Sequence, residues 1–104
     1  MDYIFALLKK MKERYAAYIG GPNIHKLSIF LGGYECALFE LLGVRAQFDS
    51  RFQRYCEEKY HCDNGKHWDV IICENTSDTT AFDAFWVDLE EFKLHTDFCQ
   101  RTRT

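Results

Sequence analysis

Apolar side chains recur at steps of three and four residues along most of the chain, the spacing that places them on one side of an α-helix. The first such stretch covers residues 3–18 and ends at Gly20-Gly21-Pro22, because glycine accepts a left-handed helix terminus and proline cannot extend a helix. A third helix is predicted over about 47–60. A last long helix follows Ser77 or Asp78, either of which can cap it. The apolar stripes of these three helices are Ile4, Leu7, Leu8, Met11, Tyr15 and Tyr18; Phe48, Phe52, Tyr55, Cys56 and Tyr60; and Phe82, Phe85, Trp86, Leu89 and Phe92.

Residues 24–42 form a second predicted helix that is apolar on nearly all sides. Asn23 is a suitable N-cap for it, and Gly43 a suitable end. A helix that is apolar all round belongs in the middle of a bundle. Gly32-Gly33 at its centre would cost roughly 1 kcal/mol per residue relative to alanine. We therefore expect either a close helix contact at the two glycines or a bend there.

Residues 68–73 are the hardest part of the chain to assign. Val70, Ile71 and Ile72 are β-branched and could form a buried strand. Trp68, Ile71 and Ile72 also fit helical spacing, and a lone strand would leave its backbone groups unpaired. We predict a short helix here. Trp68 and Trp86 both lie on apolar stripes, so we expect both to be buried.

These elements predict an all-α fold, a single-domain bundle of four to five helices over residues 1–104; the alternative is α+β with a short strand at about 68–73. A length of 104 residues fits one domain, and one Pro and six Gly are few for an all-β protein. No apolar run reaches about 18 residues, so we expect no membrane partner. The N-terminus lacks the features of a signal peptide, which predicts a cytoplasmic protein.

The chain has five cysteines, an odd number that does not suit a secreted disulfide framework. We expect free, buried thiols that pack as small apolar side chains. They are Cys36, Cys56, Cys62, Cys73 and Cys99.

Residues 69–97 carry eight acidic side chains and one basic one, a net charge of −7, whereas the whole chain carries −3. This balance argues against direct binding of nucleic acid and favours a protein partner with a basic surface. On the last helix, Asp83, Val87 and Glu90 fall on one side, opposite the apolar stripe. The candidate partner-binding residues are Asp78, Asp83, Val87, Glu90 and Glu91. A solvated helix face that keeps the protein soluble is the alternative interpretation.

Few residues of the chain suggest a metal site or a catalytic site. His61, Cys62, His67 and Cys56 are zinc-ligand types, but their spacing matches no paired-ligand pattern. Cys62 and His67 could also act as nucleophile and base, although no third residue is placed to orient the histidine. No glycine-rich phosphate loop, metalloprotease signature or nucleophile elbow is present. We predict no catalytic residues, no metal and no cofactor.

Several short motifs, spread over most of the chain, resemble a family of small bacterial immunity proteins. They are Arg14-Tyr15-Ala16-Ala17-Tyr18-Ile19-Gly20, Ile24-His25-Lys26-Leu27, Phe30-Leu31-x-Gly33-Tyr34, Phe48-x3-Phe52-x2-Tyr55, Trp68-x2-Ile71-Ile72 and Ala81-Phe82-Asp83-x-Phe85-Trp86-x2-Leu89-x-Glu91-Phe92. The chain departs from the family at Ala16-Ala17, where a proline is usual. Members are cognate inhibitors of contact-dependent growth inhibition toxins.

The resemblance implies a cytoplasmic, non-enzymatic protein that binds one toxin domain and blocks it. Such toxins are often nucleases with basic active sites, which would suit an acidic surface. The resemblance supplies no binding residues, so the candidates remain those of the last helix. The sequence therefore predicts an inhibitor that occludes a basic nuclease domain. A general adaptor or interaction module, or a small metal or thiol protein using Cys62 and His67, are the alternatives.

Overall fold

Residues 1–102 fold into five helices around one core, which confirms the predicted all-α class. The structure, a computed structural model, describes the backbone of residues 1–102 and the side chains of residues 1–95. No strand occurs within residues 1–102. The helices are α1 (Asp2–Ile19), α2 (Ile24–Leu42), α3 (Phe48–Lys59), α4 (Trp68–Asn75) and α5 (Ala81–Thr102).

The predicted helix ends are confirmed at the junctions around α2. Gly20 and Gly43 follow α1 and α2 with φ angles of 83° and 66°, in the left-handed region that glycine tolerates best. The Asn23 side chain accepts hydrogen bonds from the backbone N–H groups of His25 and Lys26, which would otherwise be unpaired at the start of α2. Before α5, the Ser77 hydroxyl accepts from the Thr80 N–H, so Ser77 is the cap of this turn.

Aromatic rings fill the core where α3, α4 and α5 meet. Phe52 of α3 is fully buried and its ring centroid lies 5.2 Å from that of Phe48, 5.0 Å from Trp68, 5.5 Å from Phe85 and 5.4 Å from Phe92. Each such ring pair stabilises the fold by roughly 0.5–1.5 kcal/mol beyond the area it buries. Both tryptophans are buried, as predicted.

Residues 68–73 are helical, which confirms the helix rather than the strand. Trp68, Ile71 and Ile72 are buried on one side of α4, at the spacing of a helix. The backbone N–H groups of Val70 and Ile71 both donate to the carbonyl of His67, so the first turn forms hydrogen bonds within itself, which a lone strand could not do. A helix of only eight residues is stable here because its apolar side packs into the core.

The expectation for α2 is wrong in two respects. Its buried residues lie on one side only, and the opposite side is open to solvent: Ile29 is 76% exposed. Nor do Gly32 and Gly33 mark a close contact, because a Cβ atom built at either would meet nothing within 4 Å. No residue inside α2 departs from helical geometry; the irregular residue is Arg14 in α1, with φ −137° and ψ 45°. The composition of α2 shows how many apolar residues it contains. It does not show that no other helix packs against one of its sides.

α3 begins without a cap of its own. Gln47 precedes it with φ 60° and makes no side-chain cap bond. Instead, Glu35 of α2 accepts from the N–H groups of Phe48 and Asp49, at 3.1 and 3.0 Å. A carboxylate at this position also interacts favourably with the positive end of the helix dipole.

The expectation of buried thiols is only partly met. Cys56 is buried, Cys62 and Cys73 are partly exposed and Cys36 is exposed; all four are free, while the side chain of Cys99 lies outside the described residues. In the part of the chain that the structure describes, no helix is both long and apolar enough to cross a membrane.

Candidate functional site

The outward side of α5 carries the three central candidate residues on one exposed stripe. Asp83, Val87 and Glu90 are all exposed, with Val87 at 59%. Leu94, 71% exposed, continues the stripe two helical turns beyond Val87. Sequence analysis missed Leu94, although its position seven residues after Val87 could have indicated it. We call Asp83, Val87, Glu90 and Leu94 the α5 stripe.

The other two candidates lie beside this stripe. Asp78 is exposed in the turn before α5, where its carboxylate accepts a hydrogen bond from the Cys73 thiol at 2.9 Å. Glu91 turns toward α3 and accepts from the Lys59 ammonium and the Tyr55 hydroxyl, each at 2.7 Å. These two bonds, Lys59 first, lower the pKa of Glu91. Glu91 is therefore an acid already paired within the protein.

Two lysines from elsewhere in the chain neutralise part of the negative charge of residues 69–97. Glu74 pairs with Lys66 at 2.5 Å, and Asp88 pairs with Lys59 at 2.5 Å. On the α5 stripe, Glu90 lies 3.6 Å from the Lys93 ammonium, whereas the structure gives Asp83 no partner among the described side chains. The exposed acidic surface is thus smaller than the sequence predicts, and on the α5 stripe Asp83 is the acid without an ion pair.

A polar cluster joins α3 to α5 beneath this surface. Asp88 is 2% exposed; its two oxygens accept from the Lys59 ammonium and the Tyr60 hydroxyl, both at 2.5 Å. Burial, followed by the hydrogen bond to Asp88, raises the pKa of Tyr60. Burial lowers the pKa of Lys59, but its hydrogen bonds to Asp88 and Glu91 outweigh burial and raise it overall. We call Lys59, Asp88, Tyr60, Glu91 and Tyr55 the lysine cluster.

A second cluster, at the junction of α2, α3 and α4, was missed by sequence analysis. The Asp69 carboxylate bonds to Nδ1 of His25 and to Nδ1 of His67, both at 2.7 Å. Nε2 of His67 lies 2.9 Å from Asp49 Oδ1, which also accepts from the Trp68 indole N–H at 3.0 Å. We call His25, His67, Asp49 and Asp69 the histidine cluster. Its members lie up to 44 residues apart in sequence, so no local pattern indicates it.

The charge state of His67 follows from its two carboxylate partners. Burial lowers the pKa of His67, but the hydrogen bonds to Asp69 and Asp49 outweigh burial and raise it overall. The converse holds for Asp69: burial raises its pKa, while the bonds from His25 and His67 lower it overall. The arrangement favours an imidazolium that donates from both ring nitrogens.

Ser28 makes the histidine cluster look like a nucleophile beside a base. Its hydroxyl oxygen lies 3.1 Å from His67 Nδ1, and Ser28 itself is buried. A general base needs a ring nitrogen with a free lone pair, whereas the carboxylates of Asp69 and Asp49 beside Nδ1 and Nε2 of His67 favour protonation of both nitrogens. The geometry therefore suits a structural junction between three helices and not an activated serine.

The structure does not bring Cys62 and His67 together. Cys62 borders an open groove with Arg54, Glu57, Glu58, His61 and Asp63, whereas His67 points to Asp49 and Asp69. Among residues 1–95, no group of three or more His, Cys, Asp or Glu side chains is placed to hold a metal ion.

Comparison with known proteins finds no matching family model, and no significant match among curated proteins or solved structures.

Proposed function

We propose that the protein is an immunity protein: a cytoplasmic, non-enzymatic inhibitor that binds a cognate toxin domain and blocks its active site. The target would be a nuclease domain with a basic active site. The observation that supports this best is the α5 stripe, where two exposed apolar side chains alternate with two carboxylates on one rigid helix.

Each part of the stripe has a separate physical role in this proposal. Asp83 and Glu90 attract a basic partner over several ångströms. This attraction raises the association rate and orients the partner as the two proteins meet. Val87 and Leu94 then bury apolar surface, which slows dissociation. The carboxylates would take the positions that substrate phosphates occupy in the toxin. Because α5 packs on the core through Phe85, Leu89 and Phe92, little conformational entropy is lost on binding.

Asp78 and Glu91 would lie at the edge of this interface. Asp78 is exposed in the turn that precedes α5. Glu91 can accept further hydrogen bonds from a partner, but its charge is shared with Lys59, so we expect a smaller contribution to binding. Their substitution should change affinity less than substitution of Asp83 or Val87.

The test is binding of purified protein to the toxin domain encoded by the gene directly upstream. In the double variant Asp83→Lys/Glu90→Lys, we expect association at least tenfold slower and a weaker dependence on salt. The matched control is Glu13→Lys/Glu58→Lys, which makes the same charge change at exposed acids outside the α5 stripe. Val87→Asp should speed dissociation without reducing the association rate to the same degree.

Toxin protection in cells supplies the second readout. If the double variant binds and protects like the wild type while the control variant fails, the α5 stripe is the wrong surface. If the wild-type protein captures no toxin and instead binds a housekeeping protein, the immunity function is wrong and the adaptor alternative gains support.

A further inference from the structure

The outer side of α2 presents five exposed residues in one line. They follow each other at steps of three, four, three and four, the spacing of a helix–helix seam. We call this line the α2 seam: Lys26, Ile29, Gly33, Cys36 and Glu40. At 100° per residue the seam lies opposite the buried side of α2, formed by Ile24, Leu27, Ser28, Leu31 and Leu38. No element of the described chain covers it.

Two residues of the seam are unexpected on a solvated helix. Ile29 is 76% exposed, so a large apolar side chain projects into water. Gly33 sits in mid-helix with helical geometry and no atom within 4 Å of where a Cβ would lie, so nothing within the chain requires a glycine there. Glycine costs a helix about 1 kcal/mol relative to alanine, and its missing side chain lets a second helix approach closely.

The two ends of the seam carry opposite charges that are symmetric about Gly33. Lys26 and Glu40 are each seven residues from Gly33, and the structure gives neither side chain an ionic partner among the described residues. If a second α2 ran antiparallel about a two-fold axis at Gly33, each Lys26 would face Glu40 of the other copy. A parallel pair would instead place like charges together.

We propose that the α2 seam binds a second copy of this chain, forming an antiparallel, two-fold symmetric dimer centred on Gly33. The interface is isologous, so one surface serves both copies. Ile29 of each copy packs on the surface of the other helix beside its glycines. Two Lys26–Glu40 pairs fix the antiparallel orientation of the two helices. The seam shares no residue with the α5 stripe, so the dimer does not depend on the proposed toxin binding.

The length of the seam limits the strength of the dimer. From Lys26 to Glu40 the helix rises about 21 Å, at 1.5 Å per residue. Phe39 and Leu41, 49% and 81% exposed, flank it and widen the contact. One helix pair still lies at the low end of specific interfaces, so we expect a dissociation constant of about 10–100 μM.

Analytical ultracentrifugation from about 1 to 500 μM protein tests the proposal directly. We expect the wild type to shift from monomer to dimer across this range and Ile29→Asp to remain monomeric. The matched control is Val87→Asp, which places the same charge on an exposed apolar site of the α5 stripe and should dimerise normally.

A charge-swap series tests the antiparallel arrangement. Lys26→Glu and Glu40→Lys should each weaken the dimer at least fivefold, and the double variant Lys26→Glu/Glu40→Lys should restore it. In a parallel dimer, the double variant would not rescue the single ones. Lys26 and Glu40, like the Ile29 and Val87 changed in the ultracentrifugation experiment, are exposed. Circular dichroism should therefore show unchanged folding of every variant.

Disulfide formation provides an independent measure of the register. In an antiparallel dimer, the two Cys36 residues lie on opposite sides of the axis, about 9 Å apart along the helices, whereas disulfides need Cα atoms within about 6.8 Å. Gly33→Cys in a Cys36→Ser background places two cysteines at the axis, and we expect it to cross-link far faster than Cys36 in the wild type. Peptide mapping separates these bonds from those of other cysteines.

Two results would overturn the proposal. A wild-type protein that is monomeric throughout, with toxin capture lost in Ile29→Asp and retained in Val87→Asp, would assign the α2 seam to the toxin. Rapid cross-linking through Cys36 with no rescue in the charge swap would show a parallel pair.

Discussion

The lysine cluster and the histidine cluster both join helices through charged side chains, but they differ in how far water reaches them. In the first, the Asp88 side chain is 3% exposed and lies between Lys59 and Tyr60. In the second, the central Asp69 side chain is 12% exposed, and the side chains of His67 and Asp49 are 38% and 41% exposed. A charge pair gains strength as water is excluded, and breaking a buried pair costs more than breaking an exposed one. The two clusters should therefore contribute unequally to stability.

They also differ in the pH range over which they titrate. The pKa of Lys59 is raised above 10.5, and burial raises the pKa of Tyr60 as well, so neither group changes its charge near neutral pH. The histidine cluster contains the one kind of side chain that titrates there. The lysine cluster is thus a fixed junction between α3 and α5, whereas the junction of α2, α3 and α4 depends on pH.

The largest effect is expected from Asp88→Ala. This change removes the acceptor of the Tyr60 hydroxyl and one of the two carboxylates that accept from the Lys59 ammonium, and we expect the free energy of unfolding to fall by about 2 kcal/mol. Urea denaturation measures it. Asp83→Ala on the same helix is the matched control and should change stability by less than about 0.5 kcal/mol. Equal losses in the two variants would contradict the distinction between paired and exposed acids of α5.

A smaller effect separates the buried and exposed parts of the lysine cluster. Tyr60→Phe removes the donor to the buried Asp88 and should lower the free energy of unfolding by about 1.5 kcal/mol. Tyr55→Phe removes the donor to Glu91, whose side chain is 51% exposed, and should cost about 0.5 kcal/mol or less. If the two variants are equally stable, burial of the acceptor does not set the strength of these bonds.

The smallest effect is the pH dependence of the histidine cluster. Because the folded protein raises the pKa of His67 above 6.5, its charge stabilises the fold fully below that value, and this contribution is lost as the pH rises through the raised pKa. The lowered pKa of Asp69 sets the acid limit: its contribution is present above 3.8 and is lost as the pH falls through the lowered value. For so exposed a site we expect less than about 1 kcal/mol.

Two measurements check this pH window. An NMR titration should show the His67 ring losing its proton above pH 6.5, the ordinary pKa of a histidine. In His67→Gln, the stability should no longer fall as the pH rises above 6.5. A pH dependence that survives this substitution would assign the effect to another group.

Local chemistry explains why the helix ends and the short helix α4 could be predicted. Gly20, Gly43 and Asn23 act within a few residues of their own position, and the spacing of Trp68, Ile71 and Ile72 is itself a helical signal. These features need no knowledge of distant partners. The same reasoning located the exposed Asp83 and Val87, because an amphipathic helix has one buried side.

Predictions that depended on contacts between distant residues were less complete. The acidic segment by itself predicts a larger surface charge, because the sequence does not show that Lys59 and Lys66 fold against Asp88 and Glu74. The histidine cluster requires α2, α3 and α4 to be in place before its members meet. For α2, the composition gives the number of apolar residues. Which of these residues are exposed depends on where the other helices pack against α2.

The capping of α3 by Glu35 has a consequence for the order of folding. A helix of 12 residues is marginal in isolation, and the start of α3 has no cap from Gln47. Its first N–H groups find their acceptor on α2, 13 and 14 residues earlier in the chain. α3 is therefore expected to gain amide protection during refolding only after α2 has formed, so that the two helices assemble as one kinetic unit.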